Sequence, residues 1–114
     1  MKAIFVELPA FERHRVSYFS DDEFRHFQFM LLKDPLCGDV MQHTGGLRKV
    51  RFSDPKRNKG KRGGTRIIYY WYSEKSQFLL FTIYGKNIAD DLTITQREQL
   101  RAMLEMIKKR GDHD

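Results

Sequence analysis

Residues 47–66 hold nine Lys or Arg and a single acid, and any chemistry this chain performs is best sought there first. Residues 1–46 carry five basic and seven acidic side chains, and residues 67–114 carry seven of each, so the formal charge of +6 arises from one short stretch. A charge run is most often a solvated loop. Here β-rich segments lie on both sides of it and give part of the charge a fixed position. Arg66–Ser73 (RIIYYWYS) and Phe78–Tyr84 (FLLFTIY) are apolar on both faces, which marks central strands. The short link Glu74-Lys75-Ser76 makes them an antiparallel hairpin. With Ser73 opposite Gln77, Arg66 stands opposite Tyr84 and both side chains leave the same face. Leu47–Phe52 alternates, with Val50 and Phe52 on one side and Lys49 and Arg51 on the other. If it returns along the other side of Arg66–Ser73 with Arg51 opposite Arg66, a cluster of Lys49, Arg51, Arg66, Tyr84 and Lys86 results. A slip of one residue would scatter it. The Lys/Gly loop Ser53–Gly64 would fringe the cluster with Lys56, Arg57, Lys59, Lys61 and Arg62.

Such a cluster suits a phosphodiester. Arginine offers a two-pronged fork to phosphate oxygens and lysine a compact charge. A tyrosine can stack on an unpaired base, the usual grip on single-stranded RNA. If the RNA 2′-hydroxyl attacks its own phosphate, the protein has to orient that attack, neutralise the crowded phosphorane and help move protons. Crowded basic groups lower one another's pKa values, so a lysine here could serve as a base. The plainer reading is a basic surface that only binds.

Other chemistries find little support. His14, His26, His43 and His113 are scattered, and none has metal-ligand spacing with Cys37. No glycine-rich phosphate loop opens a helix. His26 is expected to be a structural residue beside core phenylalanines. No metal and no cofactor is implied.

The elements that must position the cluster read as a small α+β domain. Lys2–Val6 is a first strand. Leu8–Tyr18 is a short helix with Pro9 near its start, and Phe11 and Tyr18 share one face. Ser20 and Glu23 have the spacing of a capping box, Phe24, Phe27 and Leu31 follow at helical intervals, and Asp34-Pro35 stops the helix. Gly38-Asp39 and Gly45-Gly46 punctuate a connecting segment. Thr95 and Glu98 form a second capping box ahead of Leu100, Met103, Leu104 and Ile107, the apolar stripe of a C-terminal helix. The predicted order is β-α-α-β-β-β-α, with helices against an antiparallel sheet. At 114 residues the chain is one domain, and residues 111–114 are expected to form a disordered tail. One cysteine cannot form an internal disulfide, and the short apolar run before Glu7 cannot serve as a signal-peptide core, so a cytoplasmic protein is expected.

Three strings in this chain, Gly45-Gly46-Leu47-Arg48-Lys49-Val50-Arg51, Gly60-Lys61-Arg62-Gly63-Gly64-Thr65-Arg66-Ile67-Ile68-Tyr69-Tyr70 and Tyr84-Gly85-Lys86-Asn87, resemble the RelE superfamily of bacterial toxins, most closely its HigB branch. The element order resembles it too, over nearly the whole chain. The resemblance implies the toxin of a type II toxin–antitoxin system. Such toxins are metal-independent, ribosome-dependent endoribonucleases that cut mRNA in the ribosomal A site and stop translation. It also implies a helix-turn-helix antitoxin partner of the HigA kind. By resemblance Arg66 matches the central catalytic arginine, and Lys49 and Arg51 match a basic pair on the preceding strand. Lys86 or Asn87 stands near another family arginine. Tyr84 is the candidate for stacking or proton donation. His113 falls in the tail and takes no role. Two alternatives stay open: a non-catalytic RNA- or ribosome-binding module, and a protein whose basic face docks an acidic partner.

Overall fold

The structure is a computed structural model that describes residues 2–53, 64–85 and 92–111. Its elements run β1 (Ile4–Glu7), α1 (Pro9–Tyr18), α2 (Asp21–Lys33), β2 (Asp39–Val40), β3 (Arg48–Phe52), β4 (Thr65–Tyr72), β5 (Gln77–Gly85) and α3 (Ile94–Gly111). The α+β class and the helical hairpin are as the sequence predicts. The added element is β2, two residues inside the segment read as a connection, which pairs with Lys49 and Arg48 of β3.

The strands form one sheet in the order β1-β5-β4-β3-β2, with β1 parallel to β5 and the other pairs antiparallel. The apolar strands β4 and β5 are central because both of their faces are covered. On one face Val50, Phe52, Ile67, Tyr69, Phe78, Leu80 and Ile83 pack against Phe11, Phe19, Phe27 and Leu31 of the helical hairpin. On the other, Ile68, Tyr72, Leu79, Phe81 and Tyr84 pack against Leu104 of α3, with Met41 and Leu47 filling the side. Met103, assigned by spacing to the α3 stripe, is 41% exposed instead.

Local chemistry sets the helix ends. The Glu23 amide donates to Ser20 Oγ at 3.1 Å and the Ser20 amide donates to the Glu23 carboxylate at 2.9 Å, the reciprocal box the sequence predicts. The second box sits two residues earlier than expected. Thr93 and Gln96, not Thr95 and Glu98, exchange bonds of 2.9 and 3.1 Å, and α3 starts at Ile94. Arg97 adds to that start by donating to the carbonyls of Leu92 and Gln42, both at 3.2 Å. At the far end of α2, the buried Tyr69 hydroxyl donates to Pro35 O at 2.8 Å and accepts from the Gly38 amide at 3.0 Å, which ties the chain leaving the helix to the sheet. A side chain at Gly38 would meet the Tyr69 ring at 2.9 Å.

The β4–β5 pairing contains the detail that matters for the site. Tyr72, not Ser73, stands opposite Gln77, because Ser73–Lys75 form a 3-10 turn that Ser76 closes in the left-handed conformation. That alone would shift the whole hairpin by one residue. The register shifts again between Ile68 and Tyr69, where Phe81 is passed over as Leu80 pairs with Tyr69 and Thr82 with Ile68. This β-bulge restores the pairing of Arg66 with Tyr84.

Candidate nucleic-acid interface

Three strands bring the predicted residues into one row. Arg51 on β3 stands opposite Arg66 on β4, and Arg66 opposite Tyr84 on β5. Residues opposite one another across a sheet leave the same face, here the face that α3 covers. Lys49 leaves it two residues further along β3, between Ile68 of β4 and Asp39 of β2. The bulge is what admits Tyr84 to the row. Upstream of it Leu79 and Phe81 point to this face, so unbroken alternation would have delivered Ile83. With the extra residue, Ile83 joins the helical-hairpin core and Tyr84 the α3 core.

Depth within the row is graded. Arg51 is exposed and Lys49 half-buried, but Arg66 is only 3% exposed and Tyr84 7%. The Arg66 side chain therefore does not stand out into solvent, although a cluster offered to a phosphodiester would have it do so. The cause is its place on a central strand. Arg66 Nη1 donates to the carbonyl of Gly64 at 3.0 Å. Gly64 holds φ +69°, and a Cβ there would stand 2.8 Å from Phe52 O, so only glycine lets the chain turn there and present that carbonyl. Tyr84 packs with Ile68 and Leu104, and its ring offers no open face for a base to stack on. Its hydroxyl oxygen is buried as well, so neither of its two expected roles, stacking or proton donation, finds an open atom here.

Lys56, Arg57, Lys59, Lys61, Arg62, Lys86, Asn87 and His113 lie outside the described residues. His26 is exposed on α2 rather than set among the phenylalanines. Burial raises the Cys37 thiol above its usual pKa, so it stays protonated and is a poor nucleophile. Sequence reasoning missed Gly64 as the residue that seats Arg66, although Gly63-Gly64 ahead of the strand was a legible signal. It also missed Arg48, which donates to Gly38 O at 2.7 Å and Leu36 O at 3.2 Å and braces the chain before β2.

No protein-family model matches the sequence. Among solved structures, the E. coli toxin RelE in the free state, in a form with two arginines changed to alanine, matches with a TM-score of 0.54. The match covers 89% of this chain and 98% of that chain at 14% identity. The fold is that of RelE. On this RelE fold the basic row lies at the Gly64 end of β4, on the face under α3. The ends of β3, β4 and β5 meet there, at Phe52, Thr65 and Gly85.

Proposed function

We propose that the chain is the toxin of a type II toxin–antitoxin system, an endoribonuclease that needs no metal and cuts mRNA in the A site of translating ribosomes. One observation carries the reading: Arg51, Arg66 and Tyr84 share one row across three strands of a RelE fold. Two arginines opposite one another on a sheet repel, and a phosphate between them turns that cost into binding. The exposed Arg51 receives the phosphodiester. The water-poor position of Arg66 strengthens its pull on charge that develops as the 2′-oxygen attacks. Lys49 and Lys86 complete the charge, Lys49 being the candidate base. Tyr84, opposite Arg66, takes the proton role, and its buried hydroxyl has to be uncovered as RNA binds. Primer extension on messages from expressing cells tests the reading. New 5′ ends at codon-aligned positions are expected, and intact messages under growth arrest would overturn it.

The burial of Arg66 and Tyr84 favours a second reading, a non-catalytic RNA- or ribosome-binding module with only Arg51 and Lys49 in contact with phosphate. RNA protection without new 5′ ends would mark it.

Within the first reading, the loop with Lys56, Arg57, Lys59, Lys61 and Arg62, together with Asn87, draws in the RNA backbone without taking part in the chemistry. Changing Lys56, Arg57 and Lys59 to glutamine is expected to lower the slope of log affinity against log salt by about 2, at roughly 0.7 per phosphate contact on a single strand. An unchanged slope would remove the loop from the interface.

The partner fitting this reading is a cytoplasmic, HigA-like helix-turn-helix antitoxin of the HigB branch. It could cover the basic row or dock elsewhere and make the complex too bulky for the A site. The helical hairpin and β1 are near neutral, with Glu12, Asp21 and Asp22 exposed alongside Arg13, Arg25 and Lys33. The hairpin lies on the face of the sheet away from the basic row, which leaves that face open to a partner that does not compete with RNA. Reversing charge at Lys49 and Arg51 is expected to leave antitoxin affinity within about threefold, since the contacts lie on another face. A loss of two orders of magnitude by titration calorimetry would put the antitoxin on the row itself.

A further inference from the structure

By sequence, residues 67–114 are electrically neutral, with seven basic and seven acidic side chains. Among the described residues of this stretch, part of the basic charge gathers at one place. The last turn of α3 carries Lys108, Lys109 and Arg110, and the helix end lies against the β4–β5 turn, where Lys75 Nζ donates to Gly111 O at 3.0 Å. Four cations thus converge at the end of the sheet remote from Arg66. Of the acids nearby, Glu105 accepts from Arg101 at 3.0 Å and Glu74 is exposed on the turn; 112 and 114 lie outside the described residues.

Beside these cations is an aromatic ring at the rim of the core, packed against it on one side. Tyr70 leaves β4 on the same face as Arg66, four residues or about 13 Å further along the strand. Tyr70 is half-buried, where its neighbours Tyr69 and Tyr72 are buried. Lys108 Nζ stands 5.5 Å from its centroid, and the ring meets Tyr72 edge-on at 6.0 Å. The hydrogen bond with Tyr70 raises the Lys108 pKa, so the ammonium is charged throughout the neutral range. Cations at a helix C-terminus usually do no more than complement the helix dipole. That account explains neither the tyrosine left half-buried beside them nor the fourth cation, Lys75, supplied by another element.

We infer that Tyr70, Lys75, Lys108, Lys109 and Arg110 form a second RNA contact, in which an unpaired base stacks on Tyr70 and the flanking phosphates meet the α3 terminus. The inference rests on the RNA-directed reading of the first row and extends it. Because Ile68 between them is buried under α3, one strand would pass outside that covering from the exposed Arg51 end of the row to this end. It would be gripped at two points, so the contact sets which stretch of RNA is held rather than how it is cut.

The test uses the full chain and a fluorescent RNA of roughly 12 nucleotides, 2′-O-methylated throughout so that it cannot be cleaved. Binding is followed by anisotropy across a salt series. The combined variant Lys108→Gln, Lys109→Gln, Arg110→Gln keeps Lys75 and its bond to the helix end. It is expected to bind about tenfold more weakly, with a slope lower by about 2. Tyr70→Leu is expected to lose about tenfold at unchanged slope, as for one stacked base, while Tyr70→Phe stays near wild type. A natively folded triple variant with unchanged slope, or a Tyr70→Leu protein that binds as wild type, overturns the proposal. So does a triple variant that loses affinity for polyglutamate but not for RNA, which would assign the patch to an acidic polypeptide. Because the probe is inert, the slope is informative even if the chain cleaves no message. A failure here, in turn, leaves primer-extension ends untouched.

Discussion

Exchanging Arg66 for glutamine is expected to lower mRNA cleavage by roughly 10²–10³-fold, the usual loss when one preorganised donor is removed from a developing charge. The structure makes this a demanding substitution. Arg66 is nearly buried and its Nη1 satisfies Gly64 O. Losing that bond leaves a buried carbonyl short of a partner and costs about 1–3 kcal/mol in stability. Glutamine keeps a donor near the carbonyl while removing the charge, so it is a better probe than alanine. Lysine keeps the charge and loses the fork, and should recover part of the rate. Cleavage is read by primer extension, and folding by circular dichroism and thermal melting on the same samples. An Arg66→Gln protein with a native spectrum and full activity would show that the row is not where RNA is cut.

Phe27→Ala is expected to cost about 3–5 kcal/mol of folding free energy, a large share of the 5–15 kcal/mol typical of a domain. Phe27 is fully buried, 5.5 Å from the Phe19 ring and edge-on to Phe52 at 5.7 Å. Phe52 in turn meets Phe19 edge-on at 5.4 Å and directly follows Arg51 in β3. The cavity would therefore open under the strand that carries the outer arginine. Urea unfolding should show a lower midpoint at an unchanged slope. A loss below about 1 kcal/mol would mean that α2 does not bear on the sheet in this way.

What could be read from the sequence follows a physical divide. The Ser20–Glu23 box, the proline stop at Asp34-Pro35 and the alternation of Lys49 and Arg51 with Val50 and Phe52 are local patterns, and local rules recover them. The second helix start was misplaced because Thr93-Gln96 and Thr95-Glu98 satisfy the same spacing, and the sequence does not show that Arg97 holds Leu92 and Gln42. The two-residue strand β2 is too short to show any period. The Arg51–Arg66–Tyr84 row is predicted correctly through two errors that offset each other, since the longer turn and the bulge at Phe81 cancel. Burial of Arg66 could not be read at all. Alternation tells which face a side chain leaves, not how much chain is laid over that face. The second cluster of cations was invisible for the same reason: neutrality along the sequence says nothing about separation in space.

The extra residue at Phe81 also governs how this chain should be compared with others of its fold. A strand with one inserted residue carries two reading frames, one for the half facing the turn and one for the half facing the basic row. Laid without a gap beside a relative that lacks the insertion, its second half is out of step. Ile83 then falls in the column of the functional face, and Tyr84 in that of the hydrophobic interior. A one-residue gap at 81 puts both back. The same arithmetic applies to engineering: deleting Phe81 alone would heal the ladder and leave Ile83 and Tyr84 on their present faces, with Tyr84 still opposite Arg66, whereas flattening the bulge at full length would exchange the two faces from Thr82 onward and bring Ile83 opposite Arg66.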